Sequence, residues 1–182
     1  MTFKKTVTLK DGRNCLLRNG VTSDGKAVLD VFNRTHEETD YLLTYSDENR
    51  FTASQEADFL QRKTDSANNV EIIAVVDDVV AGTAGIDALG MRDKIKHRAV
   101  FGIAITKEFW GLGIGKYLME ACIECAREAG YLQLELEVVA ENERAVEMYR
   151  RAGFIEYGRN PKAFRLRTGE YQELIDMRLE LK

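Results

Sequence analysis

The chain has 182 residues, of which 45% are hydrophobic and 31% are charged, and its formal net charge is −4. The length suits a single domain spanning residues 1–182, and the mildly acidic balance argues against nucleic acid as a partner, because nucleic-acid binding needs a clustered basic surface. The first residues, MTFKKTVTLKDG, are charged, and no apolar run approaches the roughly 20 residues that cross a bilayer. We therefore expect a cytoplasmic protein without a signal peptide and without a membrane partner.

The first half of the chain predicts two hairpins with two helices between them. KKTVTLKDGRNCLLR reads as two short strands around a turn at residues 11–12. Residues 22–45 and 52–63 are helical in pattern. The segments VEIIAVVD and VVAGTAGIDAL then predict two strands joined by a short turn at residues 77–78.

The second half predicts strands that alternate with helices, which indicates an α/β crossover unit. It begins with the nearly continuous apolar run RAVFGIAIT, which is typical of a strand that is buried on both faces. The later predicted elements are a helix over 114–129, a strand over 132–138, a helix over 142–152, and strands over 154–159, running on towards 166, and 171–181.

Three glycines, Gly111, Gly113 and Gly115, stand between the apolar strand and the helix that follows it. Glycine permits positive φ and lets the backbone approach a ligand closely. Free amides at a helix N-terminus attract anions, so a phosphate or pyrophosphate group is the expected occupant. The segment does not fit a P-loop, because Tyr117 follows Lys116 where that motif needs Ser or Thr. Its G-x-G-x-G spacing also differs from the G-x-G-x-x-G dinucleotide fingerprint.

The sequence W-G-L-G-I-G at residues 110–115 resembles the coenzyme A motif of the GNAT acetyltransferase superfamily, usually written [RQ]-x-x-G-x-[GA]. Trp110 stands where Arg or Gln is usual, and Lys107 replaces a frequent proline. Because such motifs bind pyrophosphate mainly through backbone amides, we expect binding to persist despite both changes.

A second motif lies downstream and resembles the superfamily pattern of a strand followed by N-x-x-A-x-x-x-Y-x-x-x-G-F. Its positions are filled without a gap by Asn142, Ala145, Tyr149, Gly153 and Phe154. Two motifs in the expected order are far more specific than either alone. The resemblance implies an α/β (α+β) fold, with a mixed, mostly antiparallel central sheet of six to seven strands flanked by about four helices.

The resemblance also implies an acetyl-CoA site. The amides of residues 112–116 would hold the pyrophosphate, and the backbone of residues 103–105 would pair with the pantetheine arm like an added strand. The implied cofactor-binding residues are Ile103, Ala104, Ile105, Trp110, Gly111, Leu112, Gly113, Ile114, Gly115, Lys116, Asn142, Ala145 and Tyr149. We expect no metal, because Cys122 and Cys125 lie on the apolar stripe of a helix without a second cysteine pair.

Acetyl transfer to an amine needs a base and an acid. Only about one amine in a thousand is neutral at pH 7, and the departing thiolate needs a proton. By the resemblance, Tyr149 takes the position of the acid and Glu137 the position of the base in ribosomal-protein alanine N-acetyltransferases. Glu135 on the same strand face would raise the proton affinity of Glu137 by like-charge repulsion. Glu38, Asp40 or a water held by backbone carbonyls are alternative bases.

The sequence alone does not decide between two functions, and it does not give the oligomeric state. The favoured function is an N-acetyltransferase that acts by direct ternary-complex transfer on a primary amine of a small molecule or a protein N-terminus. The alternative is a non-catalytic acyl-CoA-binding or regulatory module with the same fold, and the presence of Tyr149 favours the enzyme. Homodimer formation is a further open point.

Overall fold

The computed structural model describes residues 1–181 and contains eight strands and four α-helices. The strands are β1 (Lys4–Thr8), β2 (Asn14–Asn19), β3 (Val70–Val76), β4 (Val79–Ala88), β5 (Arg98–Ile105), β6 (Gln133–Val139), β7 (Ile155–Arg165) and β8 (Tyr171–Glu180). The helices are α1 (Gly25–Glu38), α2 (Ala53–Asp65), α3 (Ile114–Glu128) and α4 (Glu143–Arg151). Short 3-10 turns span Thr22–Asp24, Ser46–Glu48 and Lys107–Phe109.

All eight strands form one sheet in the order β1-β2-β3-β4-β5-β6-β8-β7. Among the strands of residues 1–181, only β5 and β6 run parallel, and α3 makes the crossover between them. The mixed, mostly antiparallel sheet with four helices is therefore confirmed. The count of six to seven strands that the resemblance implied was too low: the sheet also includes both strands of the N-terminal hairpin that the sequence pattern predicts, with β1 at its edge.

The first helix is shorter than its sequence pattern suggests. Residues 22–45 were expected to be helical, but α1 ends at Glu38 and Thr39 is already extended, with φ −157° and ψ 148°. The next residues include the consecutive apolar side chains Tyr41, Leu42 and Leu43, which cannot all lie on one helix face. This segment instead reaches the cleft described below.

The expectation that β5 is buried on both faces was wrong. Ala99 and Phe101 are buried in the core, whereas Val100 is 39% exposed and Gly102 is exposed. The residues of the second face are apolar because they border a cleft, where small and apolar side chains leave room for a ligand.

The main core lies on the side of the sheet covered by α3 and α4. Ile114, Leu118, Cys122 and Cys125 of α3 are all buried there, which confirms the predicted apolar stripe. Burial raises the pKa of the Cys125 thiol to about 12, so this side chain behaves as a packed apolar group. Among residues 1–181, none of the helices combines the length and apolar character needed to cross a bilayer.

Candidate active site

A cleft opens where β5 and β6 part. The two strands pair only over Arg98–Val100 and Gln133–Glu135, after which β5 continues along β4 and β6 along β8. The amide of Thr106 donates to the carbonyl of Ala81 on β4. Because hydrogen-bonding direction alternates along a strand, the backbone groups of Ile103 and Ile105 point away from β4, toward the cleft. The cleft has a volume of about 1520 Å³.

The edge of β5 is partly occupied by a side chain. The indole Nε1 of Trp110 donates a hydrogen bond of 2.6 Å to the carbonyl oxygen of Ile105. Ala104 lies opposite Thr83 of β4, so its own backbone groups face that strand. Of the predicted stretch 103–105, Ile103 and the amide of Ile105 therefore remain open to an added strand.

The glycine loop has the backbone of an anion cradle. Gly111 and Gly113 adopt φ of +87° and +96°, which disfavours any residue with a Cβ. Gly113 is the N-cap of α3 and supplies no side-chain cap, so the first amides of the helix stay free. A Cβ on Gly115 would lie 3.1 Å from the sulfur of Met148 and 3.4 Å from Cδ1 of Ile105, so this glycine allows helix and cleft wall to pack closely.

The loop is held from the side by α1. Glu38, the last residue of this helix, accepts a hydrogen bond of 2.6 Å from the amide of Lys107. Arg34 binds both Glu38 and Glu108, at 3.0 Å and 3.1 Å. Glu38 is therefore engaged in holding the loop, which makes it a poor candidate for the base. Asp40 is exposed and is not among the residues that line the cleft.

The second motif shapes the other wall of the cleft. Asn142, where the helix was expected to begin, is the N-cap of α4, and its side-chain oxygen accepts from the amide of Ala145 at 3.3 Å. Tyr149 is 6% exposed and packs against the rings of Phe101 and Phe154, with centroids 6.2 Å and 5.8 Å away. Burial raises the pKa of Tyr149 well above its ordinary value, so the hydroxyl keeps its proton at neutral pH.

The two glutamates of β6 differ in their surroundings. Glu135 is 7% exposed and is bound by the guanidinium of Arg98. Glu137 is exposed, lines the cleft and forms no ion pair or hydrogen bond within the described residues. Arg98 pairs with the carboxylate of Glu135, so of the two glutamates only Glu137 faces the cleft without a partner within residues 1–181.

Several residues that line the cleft were not predicted from the sequence. Arg144 lies in the first turn of α4, where the helix dipole disfavours a cation, and this unfavourable placement was the signal in the sequence. The cleft is also lined by Tyr41 and Leu42 from the segment after α1 and by Phe164 from β7. These residues are far apart in the sequence, and no motif connects them.

The residues of the cleft fit acetyl-CoA. The free amides and positive-φ glycines suit a pyrophosphate group, and the open edge of β5 suits an arm that carries amide groups. Tyr149 and Glu137 line the same cleft, so a thioester and an amine could both reach them.

Comparison with known proteins agrees with this chemistry. The model of the acetyltransferase (GNAT) family matches residues 30–154. The L-amino acid N-acetyltransferase of Escherichia coli strain K12 is 31% identical over 118 residues, which make up 64% of this chain and 72% of that protein.

Solved structures share the fold. A GNAT-family acetyltransferase from Streptococcus pneumoniae superposes with a TM-score of 0.87 at 27% identity, covering 91% of this chain and 99% of that one. A GNAT-superfamily phosphinothricin acetyltransferase from Sinorhizobium meliloti, in complex with acetyl-CoA, superposes with a TM-score of 0.81 at 18% identity, covering 96% and 89%.

The family model spans more than half of the chain and includes the glycine loop, Asn142 and Tyr149. The same residues form one continuous cleft in the structure. The chain therefore belongs to the GNAT acetyltransferase family, and it is an acyltransferase with the acetyl-CoA-binding fold of that family.

Proposed function

We propose that the enzyme transfers the acetyl group of acetyl-CoA to a primary amine of a small molecule or a protein N-terminus, by direct attack in a ternary complex. The observation that carries this proposal is that Glu137 and Tyr149 line one cleft together with the free amides of the glycine loop. A covalent acetyl-enzyme is not required. The cysteines are buried, and burial raises the pKa of the Cys15 thiol to about 11, which keeps it out of its nucleophilic form.

Glu137 acts as the base in this proposal. An amine that arrives as an ammonium ion must lose a proton before it can attack, and an exposed carboxylate without an internal cation can accept that proton directly or through a water. Asp176 lies directly opposite Glu137 on β8 and shares its sheet face. Asp176 is not among the residues that line the cleft, but its charge adds to that of Glu137, and this negative potential favours a cationic amine over a neutral alcohol as the acceptor.

Tyr149 acts as the acid. Its buried hydroxyl remains protonated at neutral pH and can donate its proton as the coenzyme A thiolate leaves. Phe101 and Phe154 pack against the ring, so the hydroxyl is held in one place. A fixed donor stabilises the developing negative charge without reorganisation.

For the acceptor, we propose an amino acid or another small amine, and these compounds should be tested first. The relative from Escherichia coli is named for L-amino acids. In this chain Tyr41, Leu42 and Phe164 line the same cleft, and their apolar side chains suit an apolar substituent on the acceptor.

The test is release of free coenzyme A thiol from acetyl-CoA in the presence of a panel of amines: L-amino acids, polyamines, aminoglycosides and a peptide with a free N-terminus. We expect thiol release with at least one amine, and intersecting double-reciprocal plots, as a ternary complex requires. Parallel plots would indicate an acetyl-enzyme and overturn the direct mechanism. Failure of acetyl-CoA to bind, or to raise the melting temperature, would overturn the proposed function itself.

A further inference from the structure

Trp110 is held rigidly at the mouth of the cleft. Its indole nitrogen donates to the carbonyl oxygen of Ile105 at 2.6 Å, although the side chain remains 37% exposed. The consensus Arg or Gln at this position would place a polar side chain here. Trp110 offers a flat aromatic surface instead, and the hydrogen bond to Ile105 fixes its orientation.

Two cations lie against this ring. The guanidinium carbon of Arg144 is 5.6 Å from the centroid of the indole, and Nζ of Lys107 is 5.8 Å away. A nitrogen of the Arg144 guanidinium is also 3.9 Å from the place that a Cβ on Gly111 would occupy, so Arg144 extends over the start of the glycine loop. Cation–π attraction favours this placement.

Neither cation has an internal counter-ion. Within residues 1–181, the side chains of Arg144 and Lys107 form no ion pair, although acidic residues outnumber basic ones in the chain. Arg144 also lies in the first turn of α4, where the helix dipole opposes a positive charge. A bound anion would offset both costs.

The order of the chemical groups along acetyl-CoA indicates which anion this is. The thioester must reach Tyr149, which is buried, and the pyrophosphate would occupy the free amides of the glycine loop. The ribose with its 3′-phosphate then lies on the solvent side of the loop. Arg144 is exposed at this rim and borders Gly111.

We infer that Arg144, held in place by Trp110, binds the 3′-phosphate of coenzyme A and makes the enzyme select coenzyme A over its 3′-dephospho form. Lys107 adds to the positive potential at the same point. The inference rests on the proposed function, because it takes acetyl-CoA as the ligand of the glycine loop. It explains what Trp110 contributes in place of the usual Arg or Gln: it carries no charge but orients a cation supplied by α4.

The test compares the affinity of coenzyme A with that of 3′-dephospho-coenzyme A by titration calorimetry. Trp110 is the only tryptophan in the chain, so its fluorescence gives a second readout from inside the cluster. The variant is Arg144→Gln. The matched control is Arg150→Gln, which makes the same charge change on the same helix but removes an exposed pair with Glu156 instead.

We expect the wild type to bind coenzyme A about tenfold more tightly than the dephospho form, because a charge-assisted hydrogen bond to the phosphate is stronger than one between neutral groups. Arg144→Gln should lose most of this preference by weakening coenzyme A alone, and Arg150→Gln should retain it. The preference should also shrink at high salt, because the site is exposed. Equal weakening of both ligands, or no change in either, would overturn the inference while leaving the function intact. If neither ligand binds the wild type, the proposed function itself fails.

Discussion

Arg98, at the first position where β5 pairs with β6, and Glu135, at the last such position, form a two-point ion pair. Nη2 of Arg98 donates to Oε2 of Glu135 at 2.7 Å, and Nε donates to the other carboxylate oxygen. Val100 is the partner of Glu135 in the strand register, and the strands separate after it. The pair therefore joins the strands at the closed end of the cleft.

Glu135→Gln should destabilise the fold, because the partly exposed Arg98 would lose its counter-ion and the substituted side chain is buried. We expect a loss of roughly 1–3 kcal/mol in the free energy of unfolding, measured by urea denaturation. The control is Glu120→Gln, which removes an exposed pair with Lys116 of 3.6 Å and should cost less than about 0.5 kcal/mol. Equal effects of the two substitutions would show that the Arg98 pair does not stabilise the closed end.

Glu137→Gln should slow the reaction without disturbing the coenzyme. The variant keeps the size of the side chain but cannot accept a proton, and general-base catalysis typically contributes 10²- to 10⁴-fold. We expect kcat to fall within about this range while the affinity for acetyl-CoA stays within about twofold. The rate of the variant should recover at high pH, where more amine is already neutral. A flat pH profile with the wild-type rate would remove Glu137 from the mechanism.

Tyr149→Phe should lower kcat by a similar factor and leave the fold intact. The ring contacts with Phe101 and Phe154 persist in this variant, so only the proton donor is lost. Since burial raises the pKa of Tyr149, the wild-type rate should show no loss from its deprotonation up to about pH 10. Turnover of the variant at the wild-type rate would assign the tyrosine a packing role.

The sequence predicted the structure correctly at positions where one residue type determines the backbone conformation. The predicted glycine loop has positive φ at Gly111 and Gly113, and α3 begins at Ile114 as expected. The separation of β5 from β6 could not be predicted, because strand register depends on residues far apart in the chain. The same holds for the pairing of Glu135 with Arg98, and for Arg144 beside Trp110. Each of these contacts joins elements whose relative placement the sequence pattern leaves open.

Gly113→Ala should weaken coenzyme binding, and Gly130→Ala should not. The two glycines lie at opposite ends of α3 with φ of +96° and +81°, so alanine strains the backbone by roughly 1–2 kcal/mol at either position. Only Gly113 belongs to the anion cradle. Melting temperatures should fall similarly in both variants, whereas calorimetry should show at least about tenfold weaker binding of coenzyme A for Gly113→Ala alone. A similar loss of binding in both would mean that the loop conformation is not specific to the ligand.

Glu71 makes the stability of the fold depend on pH. Burial raises the pKa of its carboxyl from 4.5 to about 7, although Lys63 nearby and a hydrogen bond with Thr83 both act in the opposite direction. Because the folded state holds this proton more tightly than the unfolded chain does, the group stabilises the fold fully below about pH 4.5. That contribution is lost as the pH rises through about 7.

Glu71→Gln should therefore be more stable than the wild type at pH 8, by roughly 1–3 kcal/mol, and the advantage should vanish near pH 4. Because the side chain keeps partial contact with solvent, we expect the lower part of this range. The control is Glu156→Gln, where Arg159 lowers the pKa of the carboxyl and the sign reverses, so that variant should lose stability above about pH 5. Urea denaturation between pH 4 and 8 measures both. A Glu71→Gln variant that is less stable than the wild type at pH 8 would mean that the ionised carboxylate stabilises the fold through Lys63.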